Sequence, residues 1–123
     1  MREIPRAEWV GFLDGFSRQH EGWLVTVEVF GAEIGAQVEA EEIMLEGITA
    51  DLKDGESVIS IMLSKGATTH ITHNITQPTH VRLEQTESGA DMALQIESGD
   101  RATTLVRFRS AMLPEMVDGI VSE

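Results

Sequence analysis

Near the N-terminus, apolar residues recur with the period of an α-helix and not with that of a strand. Four of them fall at i, i+3, i+4 and i+7 and therefore share one helical stripe: Trp9, Phe12, Leu13 and Phe16. Pro5 suits the first turn of a helix, where its missing N–H leaves no hydrogen bond unmade. The pattern predicts an amphipathic helix over about residues 5–21.

Beyond Trp23 the period of the apolar positions shortens to two, which is the period of a half-buried strand. Turn-forming pairs recur at short intervals: Gly31-Ala32, Asp54-Gly55, Lys65-Gly66, Ser88-Gly89 and Gly99-Asp100. Short strands punctuated in this way are typical of antiparallel hairpins. The predicted strands lie near residues 23–30, 33–39, 43–52, 57–64, 69–76, 79–87, 91–98 and 102–109.

The position of each turn predicts the register of its hairpin, because a slip of one residue would put every apolar pair out of phase. The turns at Gly31-Ala32, Asp54-Gly55 and Ser88-Gly89 predict the pairs Val25–Val38, Val27–Ala36, Val29–Ile34, Ala50–Ile59, Ile48–Ile61, Leu83–Leu94 and Val81–Ile96. In the last hairpin, a three-residue loop pairs Leu94 with Val106, whereas a two-residue loop pairs it with Leu105. We prefer the first, because it buries more apolar area.

These elements predict a single domain over residues 1–123, of the α+β class and mostly β. The N-terminal helix packs on a curled antiparallel meander of about seven to eight strands. This sheet spans about residues 23–110 and is followed by a short C-terminal tail. A sheet of this length usually curls or closes, since an open edge invites pairing. A closed barrel and a partly open one are the two expected forms.

Two glycines lie four residues apart on one side of the predicted helix, Gly11 and Gly15. Each lowers the stability of the helix by about 1 kcal/mol relative to alanine. Such a pair lets another part of a protein approach the helix backbone closely. We expect the sheet to pack there, and a partner helix is the alternative.

Charge and cysteine content narrow the classes of function. The formal net charge is −12, with 21 acidic residues against nine Lys and Arg. Such a field repels phosphate backbones, so nucleic acid is not an expected partner. The chain has no cysteine, which excludes disulfides and fits a cytoplasmic location. No apolar run approaches the ~20 residues of a membrane span or forms a signal peptide, so a membrane is not expected either.

The chain carries no catalytic motif that we recognise. It has no cysteine nucleophile, no Gly-x-Ser-x-Gly elbow and no glycine-rich phosphate loop before a helix. Residues 51–56 resemble a calcium loop superficially, but the position of Gly55 puts Ala50 at the first ligand position. We therefore expect no catalytic residue, no metal and no cofactor.

Three of the four histidines, His70, His73 and His80, fall within eleven residues and form a candidate polar site. A spacing of three along a strand puts His70 and His73 on opposite faces, so they do not converge on one metal ion. The predicted register sets His80 opposite Glu97, where a cross-strand pair is expected.

The outer face of the last three strands forms a candidate binding patch: Arg82, Glu84, Gln95, Leu105, Arg107 and Arg109. Arginine is common at protein interfaces, and Leu105 is an exposed apolar residue in this register. The alternative is a solvated face with ordinary ion pairs. Residues 28–56 hold nine acidic residues and only Lys53 as a base. The acidic segment of one copy therefore complements the charge of the basic patch on a second copy.

Several stretches resemble a family of short bacterial proteins that is catalogued only as a domain of unknown function. The resemblance lies in the opening Ile4-Pro5-Arg6-x-x-Trp9, and in Phe16–Val29, His70–His73, Val81-Arg82-Leu83-Glu84-Gln85-Thr86 and Leu105-Val106-Arg107-Phe108-Arg109. It covers nearly the whole chain. It implies a bacterial, cytoplasmic setting, and it carries over no activity, cofactor or catalytic residue.

Two classes of function remain. The first is a non-catalytic interaction protein that self-associates as a homodimer or binds another protein. The second is a small barrel that holds an apolar small molecule, with catalysis as an extension. Barrels of about eight strands hold a ligand only when side chains leave the interior unfilled. Because the helix and strands supply many mid-sized and large apolar side chains, we expect a filled interior and favour the first class.

Overall fold

The computed structural model describes residues 1–31, 35–53, 56–66 and 68–112, without the side chains of residues 36 and 110–112. The predicted turn at Asp54-Gly55 and the C-terminal tail lie outside the described residues. The elements are β1 (Arg2–Ile4), a 3₁₀ turn (Arg6–Glu8), α1 (Trp9–His20), β2 (Leu24–Gly31), β3 (Gly35–Asp51), β4 (Val58–Lys65), β5 (Thr69–Thr76), β6 (Pro78–Gln85), β7 (Asp91–Ser98) and β8 (Thr103–Met112).

The predicted fold class is confirmed, since one N-terminal helix packs on a single antiparallel sheet of eight strands. The strand order is β1-β6-β7-β8-β2-β3-β4-β5, which differs from a simple meander at two junctions, β1–β6 and β8–β2. β8 pairs with β2, whereas β5 and β6 are consecutive in the chain but do not neighbour each other. The sheet is not closed, and β1 and β5 form its edges.

The corner between β5 and β6 explains this order. Only Gln77, with a φ of 51°, separates the two strands. The tightest common hairpins need a loop of two residues, so β6 cannot fold back along β5. β6 pairs instead with β1 and β7, and the sheet stays open between β5 and β6.

Most of the predicted registers are confirmed. The structure pairs Ala50 with Ile59, Ile48 with Ile61, Val81 with Ile96 and Leu83 with Leu94. It also pairs Leu94 with Val106, which is the register of the three-residue loop. In each of these hairpins, turn position and apolar alternation agree.

The predicted register of β2 against β3 is wrong. Val27 pairs with Ala40 and Val25 pairs with Ile43, and the two predicted strands 33–39 and 43–52 form one strand, β3. The mismatch begins next to the turn, where Gly31 pairs with Gly35 and Phe30 with Ala36, so that three residues and not two separate the paired strands. Register shifts between Val27 and Glu28 and between Val25 and Val27, the latter close to Glu42 with its φ of 50°, move the pairing further. A bulge inserts an extra residue and therefore breaks the period of two on which the prediction depended.

Strand β1 was not predicted. Arg2–Ile4 pairs antiparallel with β6, and the buried Ile4 accepts a hydrogen bond from the indole of Trp9 at 2.8 Å. Three residues are too few to show a strand period in the sequence. In the described residues, no helix is long and apolar enough to span a bilayer.

The core lies between α1 and the inner face of the sheet. Of the eleven residues that alternation and the helical stripe place in it, ten are buried and Phe12 is half-buried: Trp9, Phe12, Phe16, Val25, Val27, Ile48, Ile61, Leu83, Leu94, Ile96 and Phe108. Ser17, which lies off the predicted stripe, accepts a hydrogen bond from Ile48 N at 2.7 Å and ties α1 to β3.

Candidate functional site

The six residues of the predicted patch lie on the outer face of β6, β7 and β8. The register forms two rows of cross-strand neighbours, Arg82–Gln95–Leu105 and Glu84–Ala93–Arg107, with Arg109 further along β8. Sequence reasoning therefore predicted which of these side chains are neighbours. Whether they bind a partner is a separate question, which depends on what charge and apolar surface they leave free.

Much of the charge in this patch is balanced within the chain. Arg82 Nε lies 3.3 Å from Glu3 Oε1, and its Nη1 lies 3.5 Å from Glu97 Oε1. Arg107 Nη2 donates a hydrogen bond to Glu28 Oε1 at 2.9 Å. A hydrogen bond with His80, reinforced by the charges of His80 and Arg82, lowers the pKa of Glu3. Because exposed ion pairs contribute only ~0–1 kcal/mol, these pairs order the surface more than they stabilise the fold.

A shallow cleft of about 270 Å³ opens beside these ion pairs. Four patch residues and three neighbours line it: Glu84, Leu105, Arg107 and Arg109, with Met92, Ala93 and Phe108. Met92 is 37% exposed, so part of the apolar lining is accessible. Small-molecule sites are usually larger than about 300 Å³, so the volume of this cleft lies just below their usual range.

The three histidines singled out in the sequence do not converge. His70 Nδ1 lies 2.8 Å from Glu46 Oε2, and His80 Nε2 lies 3.8 Å from Glu97 Oε1, its predicted partner. His73 lies on the other face of β5 from His70 and is half-buried. Within the described ranges, no group of three or more His, Cys, Asp and Glu side chains is arranged to hold a metal ion.

The fourth histidine forms a buried pair with a carboxyl group. His20 Nε2 lies 2.9 Å from Asp91 Oδ2, and His20 Nδ1 lies 2.8 Å from the carbonyl oxygen of Phe16. Because the Phe16 carbonyl can only accept, Nδ1 carries a proton and donates it. A second proton lies between Nε2 and Oδ2, and Gln85 Nε2 donates to the other carboxylate oxygen at 2.8 Å. Both imidazole nitrogens are therefore engaged, and neither is left for a metal or a substrate.

Sequence reasoning missed this pair, although the position of His20 on the helix could have been recognised. His20 continues the buried stripe of α1, and its ring centre lies 4.1 Å from that of Phe16 and 4.8 Å from that of Phe108. A histidine at the next position of an apolar stripe indicates a buried imidazole that needs a partner. No local pattern identifies Asp91, which lies 71 residues further along the chain.

A groove of about 640 Å³ lies between α1 and the strands β6 and β7, and Gly11 and Gly15 line it. The expectation that the sheet packs on these glycines is wrong. A Cβ at Gly11 would have no neighbouring heavy atom within 4 Å, and one at Gly15 would meet only Arg18 Nη2 at 3.9 Å. The helix approaches the sheet closely at another point, where a Cβ at Gly47 would lie 3.6 Å from Ser17 Oγ.

Strand β5 forms an uncovered edge of the sheet in the described part of the chain. It pairs with β4 alone, in a continuous register from Lys65–Thr69 to Val58–Thr76. Six of its eight residues are exposed, and even the apolar Ile71 is 40% exposed. The strand therefore presents unpaired backbone N–H and C=O groups along its length.

The comparisons with known proteins add a family and no activity. A family model described as "Family of unknown function (DUF5335)" matches residues 1–116. A protein of the bacterium Aquifex aeolicus (strain VF5), named only "Uncharacterized protein", is 30% identical over 115 residues, which is 93% of this chain and 97% of that protein. No solved structure matches.

Proposed function

Since this chain belongs to a family of unknown function (DUF5335), we propose its function from its own surface: it is a non-catalytic interaction protein that self-associates as a homodimer. The observation that carries the proposal is the edge strand β5. Two copies pair their β5 strands antiparallel about a two-fold axis, so that the two open sheets become one.

The composition of β5 supports this proposal. Proteins that remain monomeric usually protect a sheet edge with lysine, proline, a bulge or a very short strand. Thr69–Thr76 contains no lysine and no proline, runs for eight residues, and has no register shift against β4. Its threonines and isoleucines favour extended backbone. An edge with these properties is a template for another strand.

The buried His20–Asp91 pair supports the non-catalytic part of the proposal. Acid–base catalysis needs a nitrogen or oxygen within hydrogen-bond reach of the substrate. The imidazole already uses both nitrogens, and Asp91 accepts from His20 and Gln85. The pair therefore serves as a polar anchor between α1 and β7. A bacterial relative and the absence of cysteine support a cytoplasmic location for this function.

The outer patch of β6–β8 is the competing contact surface. Leu105 and Arg109, together with the cleft beside them, support a second contact to a partner. The charges of Arg82 and Arg107 are already paired with Glu3, Glu97 and Glu28, so less charge is free for another copy than the sequence indicated. Contact through β5 depends on backbone hydrogen bonds and is insensitive to salt, whereas contact through the patch weakens with salt.

Sedimentation velocity over a range of concentrations, at low and high salt, tests the proposal. We expect a dimer at both salt levels, and a monomer for Ile71→Lys, because a charge on the inner side of an edge strand opposes pairing. Val38→Lys is the matched control, since Val38 is 55% exposed on β3, pairs with Glu28 of β2 and does not belong to β5, and its dimer should persist.

Two results would contradict the proposal. A wild-type protein that is monomeric at every concentration would exclude self-association. A dimer that Arg107→Glu and high salt abolish, while Ile71→Lys leaves it intact, would move the contact from β5 to the patch. Far-ultraviolet circular dichroism of each variant shows that the sheet is retained.

A further inference from the structure

The groove between α1 and the strands β6 and β7 has a chemistry that self-association through β5 does not use. Phe12, Phe16 and Leu83 supply apolar surface, and the backbone at Gly11 and Gly15 forms the helical wall. Its volume of about 640 Å³ lies within the usual range for small-molecule sites, roughly 300–1,000 Å³.

Two arginines give the border of the groove a positive charge. The guanidinium carbon of Arg2 lies 5.8 Å from the centre of the Phe12 ring, and Arg18 is exposed on α1. Neither arginine takes part in the ion pairs found among the described residues, although the chain holds 21 acidic residues. Asp91 also lines the groove, but His20 and Gln85 already bind its carboxylate. The groove is thus apolar inside and positive at its border, in a protein of net charge −12.

The two glycines in the wall have no explanation within the described chain. Each disfavours the helix by about 1 kcal/mol relative to alanine, and neither has a positive φ. In the described part of the chain, no backbone or core side chain lies within 4 Å of the Cβ that a larger residue would add at either glycine. Their effect is to keep the groove wide at the point where it borders Phe12 and Phe16.

We propose that this groove binds a free anionic amphiphile, namely a medium-chain fatty carboxylate. Its alkyl chain would cover the apolar surface of Phe12, Phe16 and Leu83, and its carboxylate would pair with Arg2 and Arg18. The positive charge of the two arginines favours a ligand with a negative head group. Arginine is well suited to a carboxylate because its planar guanidinium group can donate two parallel hydrogen bonds. The groove is separate from β5, so the test of ligand binding is independent of the test of the dimer.

Isothermal titration calorimetry with dodecanoate, below its critical micelle concentration, tests the ligand class. The matched control ligand is dodecyltrimethylammonium, which has the same alkyl chain and the opposite charge. We expect saturable binding of one dodecanoate per chain, weakened by salt, and binding of the cationic ligand at least about tenfold weaker.

Two pairs of variants test the location. Gly11→Leu should weaken dodecanoate binding at least about tenfold by filling the groove, without lowering the melting temperature, because leucine favours a helix more than glycine does. Its control is Val10→Leu, at a residue that is 45% exposed on the same helix but does not line the groove. Arg18→Gln should weaken binding about tenfold, and Arg101→Gln, in the exposed turn before β8, should not.

Three results would overturn the inference. The first is the lack of saturable dodecanoate binding to the wild-type protein. The second is equal affinity for the two amphiphiles, which would leave the arginines without a role. The third is unchanged affinity in Gly11→Leu, which would place the ligand elsewhere on the protein. The dimer measured by sedimentation does not depend on any of the three.

Discussion

The two sides of helix α1 relate to the rest of the chain in opposite ways. The side that faces the sheet buries every residue of one stripe: Trp9, Leu13, Phe16 and His20. The side that borders the groove carries Gly11, Gly15 and the exposed Arg18, which contribute little to packing. Burial of the first stripe therefore stabilises the helix, whereas the composition of the second side weakens it. Because folding does not require the groove side of α1, the residues on that side can serve to bind a ligand.

The charged pairs of the molecule also differ in burial. The His20–Asp91 pair is buried and fully hydrogen-bonded, so its removal would leave a polar group without water or a partner. The pairs of Glu3 with His80 and Arg82 are partly exposed, and water replaces a lost partner there. The buried side of the molecule should therefore respond strongly to substitution and the exposed side weakly.

The largest expected effect is on the apolar stripe. Phe16→Ala should lower the free energy of unfolding by about 3–5 kcal/mol, because it opens a cavity among the aromatic rings of His20 and Phe108. Phe12→Ala, at a half-buried position beside the groove, should lower it by only about 1–2 kcal/mol. Urea denaturation measures both, and equal losses would show that the two sides of α1 are packed alike.

The next effect concerns the buried polar pair. Asp91→Ala should lower the free energy of unfolding by about 3 kcal/mol, because it leaves the buried imidazole without its partner. Asp91→Asn should lower it by less than about 1 kcal/mol, since the amide N–H can donate to His20 Nε2 while its oxygen accepts from Gln85. Equal destabilisation by both substitutions would mean that the charge, and not the hydrogen bonding, holds α1 to β7.

On the groove side of α1, we expect a substitution to stabilise the protein and not to destabilise it. Gly11→Ala should raise the free energy of unfolding by about 1 kcal/mol, because the new methyl group meets no atom within 4 Å and alanine favours the helix. Gly22→Ala is the control, since Gly22 has a φ of 86° that alanine adopts only with strain, and it should lower the melting temperature. A destabilised Gly11→Ala protein would show that the groove is occupied or closed.

The smallest effect is the pH response of Glu3. The hydrogen bond with His80 lowers its pKa in the folded protein, so the ionised carboxylate favours folding at pH values above its unfolded pKa. This contribution is lost as the pH falls through the lower folded pKa. The stability difference between the wild-type protein and Glu3→Gln should therefore shrink in that acidic window. Titration of the Glu3 carboxyl by nuclear magnetic resonance should show a higher pKa in His80→Gln, and an unchanged value would exclude His80 as the cause.

The parts of the fold that could be predicted from the sequence are those with local signals. The helical stripe from Trp9 to Phe16 needs only a period of 3.6, and the pair Leu83–Leu94 needs only a turn and alternation on either side. The pair Val27–Ala36 failed because the strands first pair at Gly31–Gly35 and not in the register that a two-residue loop sets. Two later register shifts in the pairing with β3, one of them close to Glu42, have no local signal in the sequence either.

The candidate sites also differ in whether a local pattern in the sequence predicts them. Cross-strand register predicted that Arg82, Gln95 and Leu105 are neighbours, because each pair lies in one hairpin. The groove could not be predicted, because its helical wall and its strands β6 and β7 come from distant parts of the chain. The edge strand β5 could not be predicted either, since a strand becomes an edge only when its neighbours are known.

The sequence by itself determined the acidic, cysteine-free composition, the helix, most of the strands with their buried faces, and three of the hairpin registers, because all of these depend on residue type and short spacings. Only the tertiary structure decided that β8 pairs with β2, that β5 is left at an edge, and that His20 meets Asp91. These contacts join residues far apart in the chain, and their stability comes from packing and hydrogen bonding in the assembled sheet, which no local period encodes.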